Sequence, residues 1–258
     1  MRKWHLIELH EQLWIPAYLR RMTPSFLTYI LKKFSIYTPC VDLLAATIHQ
    51  TKSDKIVDFC SGTGGNVLYL HTLLKEKFNL PLQLNLSDLF PDQTIIKKIN
   101  TSNNNVYYHP ISTNVLEPSP ATLGLRTLFT CFHHFKPKQA KHILHCAASN
   151  NDPIAIFEFT ENRFLRLLFD LLTPFIVFLT IPMLKELGWK RFLFTYLIPI
   201  APFMIAWDGF VSNLRSYSTT ELLNISKSVD KPHYRWKSGK IKSNLRFFNI
   251  TYLIGLPK

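Results

Sequence analysis

The chain is short of cysteine, of acidic residues and of clean apolar runs. Its 258 residues hold four cysteines, Cys40, Cys60, Cys131 and Cys146, widely spaced and each beside apolar neighbours. That spacing excludes a disulfide-stapled scaffold and any C-x-x-C metal ribbon, and it is how free buried thiols occur in a reducing compartment. Only 18% of the residues are charged and 47% are hydrophobic. Disorder is thereby excluded, and one substantial core is expected, in a single elaborated domain as easily as in two. Acids are the scarcer sign, 17 Asp and Glu against 30 Lys and Arg, a net charge of +13. The excess favours an anionic neighbour such as phospholipid, nucleic acid or an acidic substrate. The start, "MRKWHLIELHEQLW", lacks the unbroken apolar stretch of a signal peptide because Glu8, His10 and Glu11 interrupt it. A cytoplasmic protein is expected.

Clean transmembrane runs are missing too. Residues 164–184, "FLRLLFDLLTPFIVFLTIPML", carry Arg166, Asp170, Pro174 and Pro182, and residues 192–207, "FLFTYLIPIAPFMIAW", are short and hold Pro199 and Pro202. Both make poor spans. The two blocks around the basic turn "KELGWKR" fit a hydrophobic lid packed with the amino-terminal helices. They also fit a hairpin that dips an aromatic face into a bilayer with Lys185, Lys190 and Arg191 on the headgroups.

What is present is a strand-helix alternation. Residues 1–51 read as a helical cap punctuated by Pro16 and Pro24, with no strand before Lys55. Then follow strand "KIVDF", helix "GNVLYLHTLLKEKF", strand "LQLNLSD", a helix from Pro91 to Ile99, strands "NVYYHP" and "RTLFTCF", helix "PKQAKHILHCAAS" and strand "PIAIFEF". Such alternation predicts a parallel sheet covered by helices on both faces. "YRWKSGKI" and "LRFFNITYLIGLP" predict an antiparallel hairpin at the sheet edge, and Ser218 with Glu221 a capping box before it. The expected division is a cap over 1–51, a core over 52–161, a hydrophobic helical insertion over 162–217 and the core continued over 218–258.

Glycine is also scarce, eight in all, yet three fall within "VDFCSGTGGN" after the first strand. A glycine loop opening a helix presents backbone N–H groups and the positive end of the helix dipole to a nucleotide-like ligand. No Lys-Ser or Lys-Thr follows, which excludes a P-loop, and the G-x-G-x-x-G of a dinucleotide fold is absent. "VDFCSGTG" instead resembles the first motif of class I S-adenosylmethionine-dependent methyltransferases, an acid followed by G-x-G-x-G, with Cys60 standing at the first glycine and positive φ left to Gly62, Gly64 and Gly65. "LNLSDLFPD", "YYHPISTNVLEP" and "LFTCFHHFKP" are similar to the family's next three strand-end segments. "WIP", "FHHF", "LFTYLIPI" and "WDG" are shared with a group of bacterial class I methyltransferases over nearly the whole length. The resemblance implies an α/β Rossmann-like fold with a seven-stranded sheet, a helical cap and an apolar insertion between the fifth and sixth strands. It implies S-adenosylmethionine as cofactor, held by Asp58, Cys60, Ser61, Gly62, Thr63, Gly64, Asp88 and Leu89, by Ser112 and Thr113 on the adenine side, and by Phe132 beneath the methionine part.

His133 and His134 follow a buried strand at its carboxyl end, the rim where open α/β sheets bind ligands, and are candidates for a general base or substrate donor. Asp208 joins them as a candidate catalytic group, with Trp14, Tyr18, Arg215 and Tyr217 as substrate contacts. A zinc site from Cys131, His133, His134, His142, His145 and Cys146 is disfavoured, since no C-x-x-C occurs and His142 and His145 fall on a helix surface. No metal is expected. The combined expectation is methyl transfer to a small, hydrophobic or lipid-like acceptor, with peripheral contact to an anionic membrane on the cytoplasmic side. The alternative is a membrane-associated, non-catalytic binding module of the same fold. Nucleic acid is disfavoured as a partner because the basic residues are scattered and no N-P-P-Y or D-P-P-Y motif is present.

Overall fold

The computed structural model describes residues 6–102, 105–117, 124–184, 187–229 and 231–258. Seven strands form one sheet: β1 (Lys55–Phe59), β2 (Gln83–Ser87), β3 (Val106–Tyr108), β4 (Leu125–Phe129), β5 (Ile154–Glu158), β6 (Tyr234–Lys242) and β7 (Asn249–Pro257). Their order is β3-β2-β1-β4-β5-β7-β6. β1 pairs in parallel with β2 and β4, β2 with β3, and β4 with β5. β7 runs antiparallel between β5 and β6. The carboxyl ends of β1, β2, β4 and β5 therefore open on one rim, where the order reverses between β1 and β4.

The central strands β1, β4 and β5 are buried at nearly every position because both faces are covered. On one side α2 (Val41–Thr51), α3 (Gly65–Phe78) and α4 (Gln93–Asn100) contribute Leu44, Leu70 and Ile96 to a core with Ile56 and Leu84. On the other, α5 (Pro137–Ser149) and α10 (Thr219–Lys227) pack Leu144 and Leu222 against Val57, Leu128 and Ile156. Asp92 caps α4 by accepting from the N–H groups of Thr94 and Ile95, and the expected Ser218 to Glu221 capping box starts α10.

A third core joins the two ends of the chain. Leu19, Met22 and Phe26 of α1 (Ala17–Lys33) pack on Val177 of α7 (Thr173–Thr180), on Ile181, and on Ala201, Met204 and Ile205 of α9 (Ile200–Arg215). The insertion is completed by α6 (Phe164–Asp170) and by α8 (Lys190–Phe192), which runs into a π turn at Leu193–Leu197. Cap and insertion thus pack together, as the lid reading expects.

Two local expectations are corrected. Pro24 does not punctuate α1: the helix runs through it because Met22, Thr23, Ser25 and Phe26 around it are buried, and tertiary packing outweighs the lost N–H. Between residues 6 and 15 the chain forms a single 3-10 turn, Leu9–Glu11, and not a helix.

Among the described residues, no single helix is long and apolar enough to cross a membrane, and the two helix pairs of sufficient composition are bent by 44° and 83°. Arg166 and Asp170, the charges that spoil the first block as a span, turn inward. Arg166 lies over the rings of Phe159 and Phe248 at 4.2 and 4.4 Å, and Asp170 accepts from Asn213 Nδ2 at 2.8 Å. The outward face keeps an apolar band, including Phe164, Leu171, Phe175, Leu179, Leu197 and Phe203.

Candidate functional site

The first half of the site is the loop between β1 and α3. Asp58, at the fourth position of β1, is buried, with Oδ1 accepting from Thr127 Oγ1 and Oδ2 from Ser61 Oγ, both at 2.7 Å. Burial pushes this carboxyl up to about 7, against the two hydrogen bonds, with a further push from the Asp88 charge. The loop then coils: Cys60, Gly62 and Gly64 have φ of +56°, +53° and +70°. Cys60 is thus in the left-handed region that the sequence reserves for glycine, and Gly65 is not among the positive-φ residues. Both expectations are corrected. Gly65 is required by packing, because a Cβ there would run into Thr28 Cγ2 of α1, while a Cβ at Gly62 would meet nothing within 4 Å. The face of the turn at Gly62 is open for a ligand.

Asp88, one residue past β2, closes the other side. Its Oδ2 accepts from Gly62 N and its Oδ1 from Phe90 N, each at 2.8 Å, so each oxygen retains acceptor capacity for a hydroxyl. Thr113 N donates to Asp88 O at 2.9 Å, and Ser112 Oγ to Leu89 O at 2.7 Å. The predicted adenine-side residues are therefore drawn to the Asp88 loop. Leu89 and Ile111 stand exposed beside them, two apolar side chains flanking an acid. Thr63 is held by Thr28 (Oγ1 to Oγ1, 2.8 Å), and Tyr108 donates its hydroxyl to Gly62 O at 2.8 Å. Thr28, Tyr108 and Thr127 are absent from the sequence reading because each lies on an element remote in sequence from the glycine loop.

The second half is the rim beyond β4. Phe132, His133 and His134 form a 3-10 turn. Glu158, which ends β5 and which the sequence reading missed, organises it: Oε1 accepts from the N–H groups of Cys131 and Phe132 at 2.9 and 2.6 Å, and Oε2 pairs with His133 Nδ1 at 2.8 Å. His133 holds Glu158 below the usual carboxylate range in spite of its burial. A signal existed, since an acid in the strand "AIFEF" is expensive to bury unpaired. The Phe132 ring is fully buried and packs on Tyr217 at 5.7 Å, which corrects its assignment beneath the cofactor; only its backbone serves the rim.

Over this rim folds the amino-terminal turn. His134 Nδ1 lies 2.6 Å from Glu11 Oε1 and 3.7 Å from Glu8 Oε2, and Arg215 Nη1 lies 3.1 Å from Glu8 Oε1 and 3.3 Å from Glu11 Oε2. Burial disfavours the imidazolium of His134, but Glu8 and Glu11 together outweigh it and hold the ring at about 9. Glu11 is correspondingly held at about 2 by His134, Arg215 and His10, against its own burial. A raised value of this kind favours the donor half of the expectation for His134 over the general base. Asp208 accepts from Leu9 N at 2.6 Å, His10 N at 3.2 Å and Thr23 Oγ1 at 3.0 Å. It anchors the amino-terminal turn to α9 and α1, and its oxygens face those groups rather than an open rim, which corrects its catalytic assignment.

Of the expected substrate contacts, only Arg215 reaches the rim. Tyr217 is core, donating to Phe135 O at 2.7 Å; Tyr18 donates to Leu187 O at 2.7 Å within the cap-insertion core; Trp14 is 69% exposed. Between cap and insertion the surface carries an open apolar groove lined by Leu9, Ile15, Leu19, Pro199, Phe203 and Trp207. His142 and His145 lie on α5, where His142 Nε2 pairs with Leu116 O at 3.0 Å, away from the rim histidines. Lys185 of the expected basic turn lies outside the described residues.

In shape the chain is similar to solved methyltransferase structures. It aligns with the plantazolicin methyltransferase BpumL in complex with SAH at a TM-score of 0.60 and 14% identity, covering 97% of this chain and 95% of that one. It aligns with PigF with SAH at 0.53 and 14%, covering 96% and 63%, and with an O-methyltransferase family protein from Burkholderia thailandensis at 0.51 and 14%, covering 86% and 56%. The chain thus spans less than two thirds of the latter two. No protein-family model and no curated protein matches it. The fold is that of the class I S-adenosylmethionine-dependent methyltransferases.

Proposed function

We propose that this chain is an S-adenosylmethionine-dependent methyltransferase acting on a small, hydrophobic or lipid-like acceptor at the cytoplasmic surface of an anionic membrane. The observation that carries the cofactor is the cradle between β1 and β2: a left-handed turn at Cys60–Gly64, open at Gly62, closed by Asp88 with spare acceptor capacity and flanked by exposed Leu89 and Ile111. These residues fit the cofactor. Asp88 would take the ribose hydroxyls, Leu89 and Ile111 the adenine faces, and Asp58 with the loop amides the amino-acid end. When bound, S-adenosylmethionine supplies an electrophilic methyl on its sulfonium.

The chain's own work is to orient and to exclude water. Glu158 fixes the 131–133 backbone, the amino-terminal turn covers the rim through Glu8 and Glu11, and His133 sits buried with its Nδ1 on Glu158. An acceptor proton would move to a group of this rim, and His133 is the histidine whose Nδ1 is held by the strand-end carboxylate of Glu158. The hydrophobic acceptor and the membrane are supported by the open apolar groove between cap and insertion and by the exposed apolar side chains of the insertion. Calorimetry tests the core of the reading: S-adenosylmethionine or its demethylated product should bind saturably at one site, with Asp88→Ala weakening it at least about tenfold, the loss of a charged hydrogen bond. Absence of heat and of thermal shift at millimolar ligand would remove the enzyme.

A further inference from the structure

Among the described residues, Glu8, Glu11 and Asp208 meet the guanidinium of Arg215 and the imidazoles of His10, His133 and His134 around the amino-terminal turn. Glu8 is fully buried, and while its Oε1 pairs with Arg215, its Oε2 has no hydrogen-bond partner among the described residues. A buried carboxylate oxygen without a partner costs several kcal/mol unless something cationic meets it. That oxygen points between two ring nitrogens, 3.6 Å from His10 Nδ1 and 3.7 Å from His134 Nδ1. One ligand atom from each of Glu8, His10 and His134 lies within 4.8 Å of the other two.

These separations are close to a coordination edge: ligands about 2.0–2.2 Å from a tetrahedral ion stand about 3.3–3.6 Å apart. The donor set, two imidazoles and one carboxylate, is that of a divalent transition metal rather than of magnesium or calcium, which prefer oxygen alone. One outer contact is in place, since Arg215 holds the far oxygen of Glu8. Asp208 Oδ2, 3.1 Å from the ligating His10 Nδ1, is a further carboxylate oxygen beside the site.

We propose that Glu8, His10 and His134 bind one divalent transition-metal ion of the zinc class, which clips the amino-terminal turn to the rim of the sheet. Both ring nitrogens must give up their protons to become ligands, so binding releases protons. The inference does not depend on methyl transfer.

The test uses the full chain, stripped with chelator, and cobalt(II) alone as probe, with zinc(II) as competitor. One equivalent of cobalt should bind saturably, give the intense visible absorption of a low-coordinate nitrogen-oxygen site, and be displaced by zinc; zinc should raise the thermal midpoint. His10→Ala removes a half-buried ligand on a surface turn and should keep the fold, checked by circular dichroism, while weakening cobalt at least about tenfold, since even an outer-shell loss costs that much. Glu8→Gln should do the same. No saturable binding overturns the proposal. So does binding that survives both substitutions unchanged, or that is lost instead in His142→Ala with Cys146→Ala, where His142 Nε2 and Cys146 Sγ lie 3.5 Å apart on α5.

Discussion

Gly65→Ala is the substitution for which packing and helix propensity disagree most. Gly65 opens α3, and at an exposed helical position alanine would gain up to about 1 kcal/mol. Here the new Cβ falls far inside contact distance of Thr28 Cγ2, whereas its next neighbours, Thr63 Oγ1 and Thr28 Cβ, stand at an ordinary 3.6 and 3.7 Å. Thr28 cannot simply rotate away. It is β-branched, lies within α1, and its Oγ1 bonds Thr63 Oγ1 at 2.8 Å, so a χ1 change sacrifices that bond, worth about 1 kcal/mol. Overpacking of this kind costs about 1–3 kcal/mol. The expected net loss is about 1–2 kcal/mol, a fall in thermal midpoint of about 2–4 °C for each kcal/mol in a chain of this size. Thr28→Ser removes the methyl and keeps the oxygen. The double variant should therefore return to within about 0.5 kcal/mol of Thr28→Ser alone, measured by urea denaturation as a double-mutant cycle. A neutral or stabilised Gly65→Ala, or a loss that Thr28→Ser does not relieve, would mean that α1 does not rest on the loop.

Asp58 should make stability fall with rising pH. Its folded carboxyl is raised to about 7 from an ordinary 3.8, so the folded state holds the proton more tightly; the contribution is whole below about 3.8 and is lost as pH climbs through about 7. Asp58→Asn, which cannot ionise, should lack that slope, and parallel denaturant curves between pH 4 and 8 would refute the assignment. The outward band predicts flotation with anionic vesicles, weakened by added salt. Leu179→Ser with Leu197→Ser, both 76% exposed, should abolish it with little change in thermal midpoint. A chain that stays unbound to anionic vesicles leaves the band without a lipid partner.

Much of this molecule is local and was legible as such. "KIVDF" and "GNVLYLHTLLKEKF" coincide with β1 and α3 because a buried parallel strand is apolar throughout and its helix repeats every three to four residues. Asp88 was found because a carboxylate just past a strand end is a pattern of near neighbours in the chain. The left-handed Cys60 was not, since local preference reserves positive φ for glycine, and only the surrounding fold can hold a side chain there. The rim was least legible. Glu8 and Glu11 read as breaks in an apolar run, and Asp208 as a candidate catalytic group. What decided their roles was closure of the chain on itself, which sets Glu8 against Arg215 and Asp208 against Leu9 across about 200 residues. A residue's period and its neighbours specify the element it joins. The partner of a buried charge is specified only when remote elements exclude water from around it, because until then water satisfies the carboxylate as well as any guanidinium does.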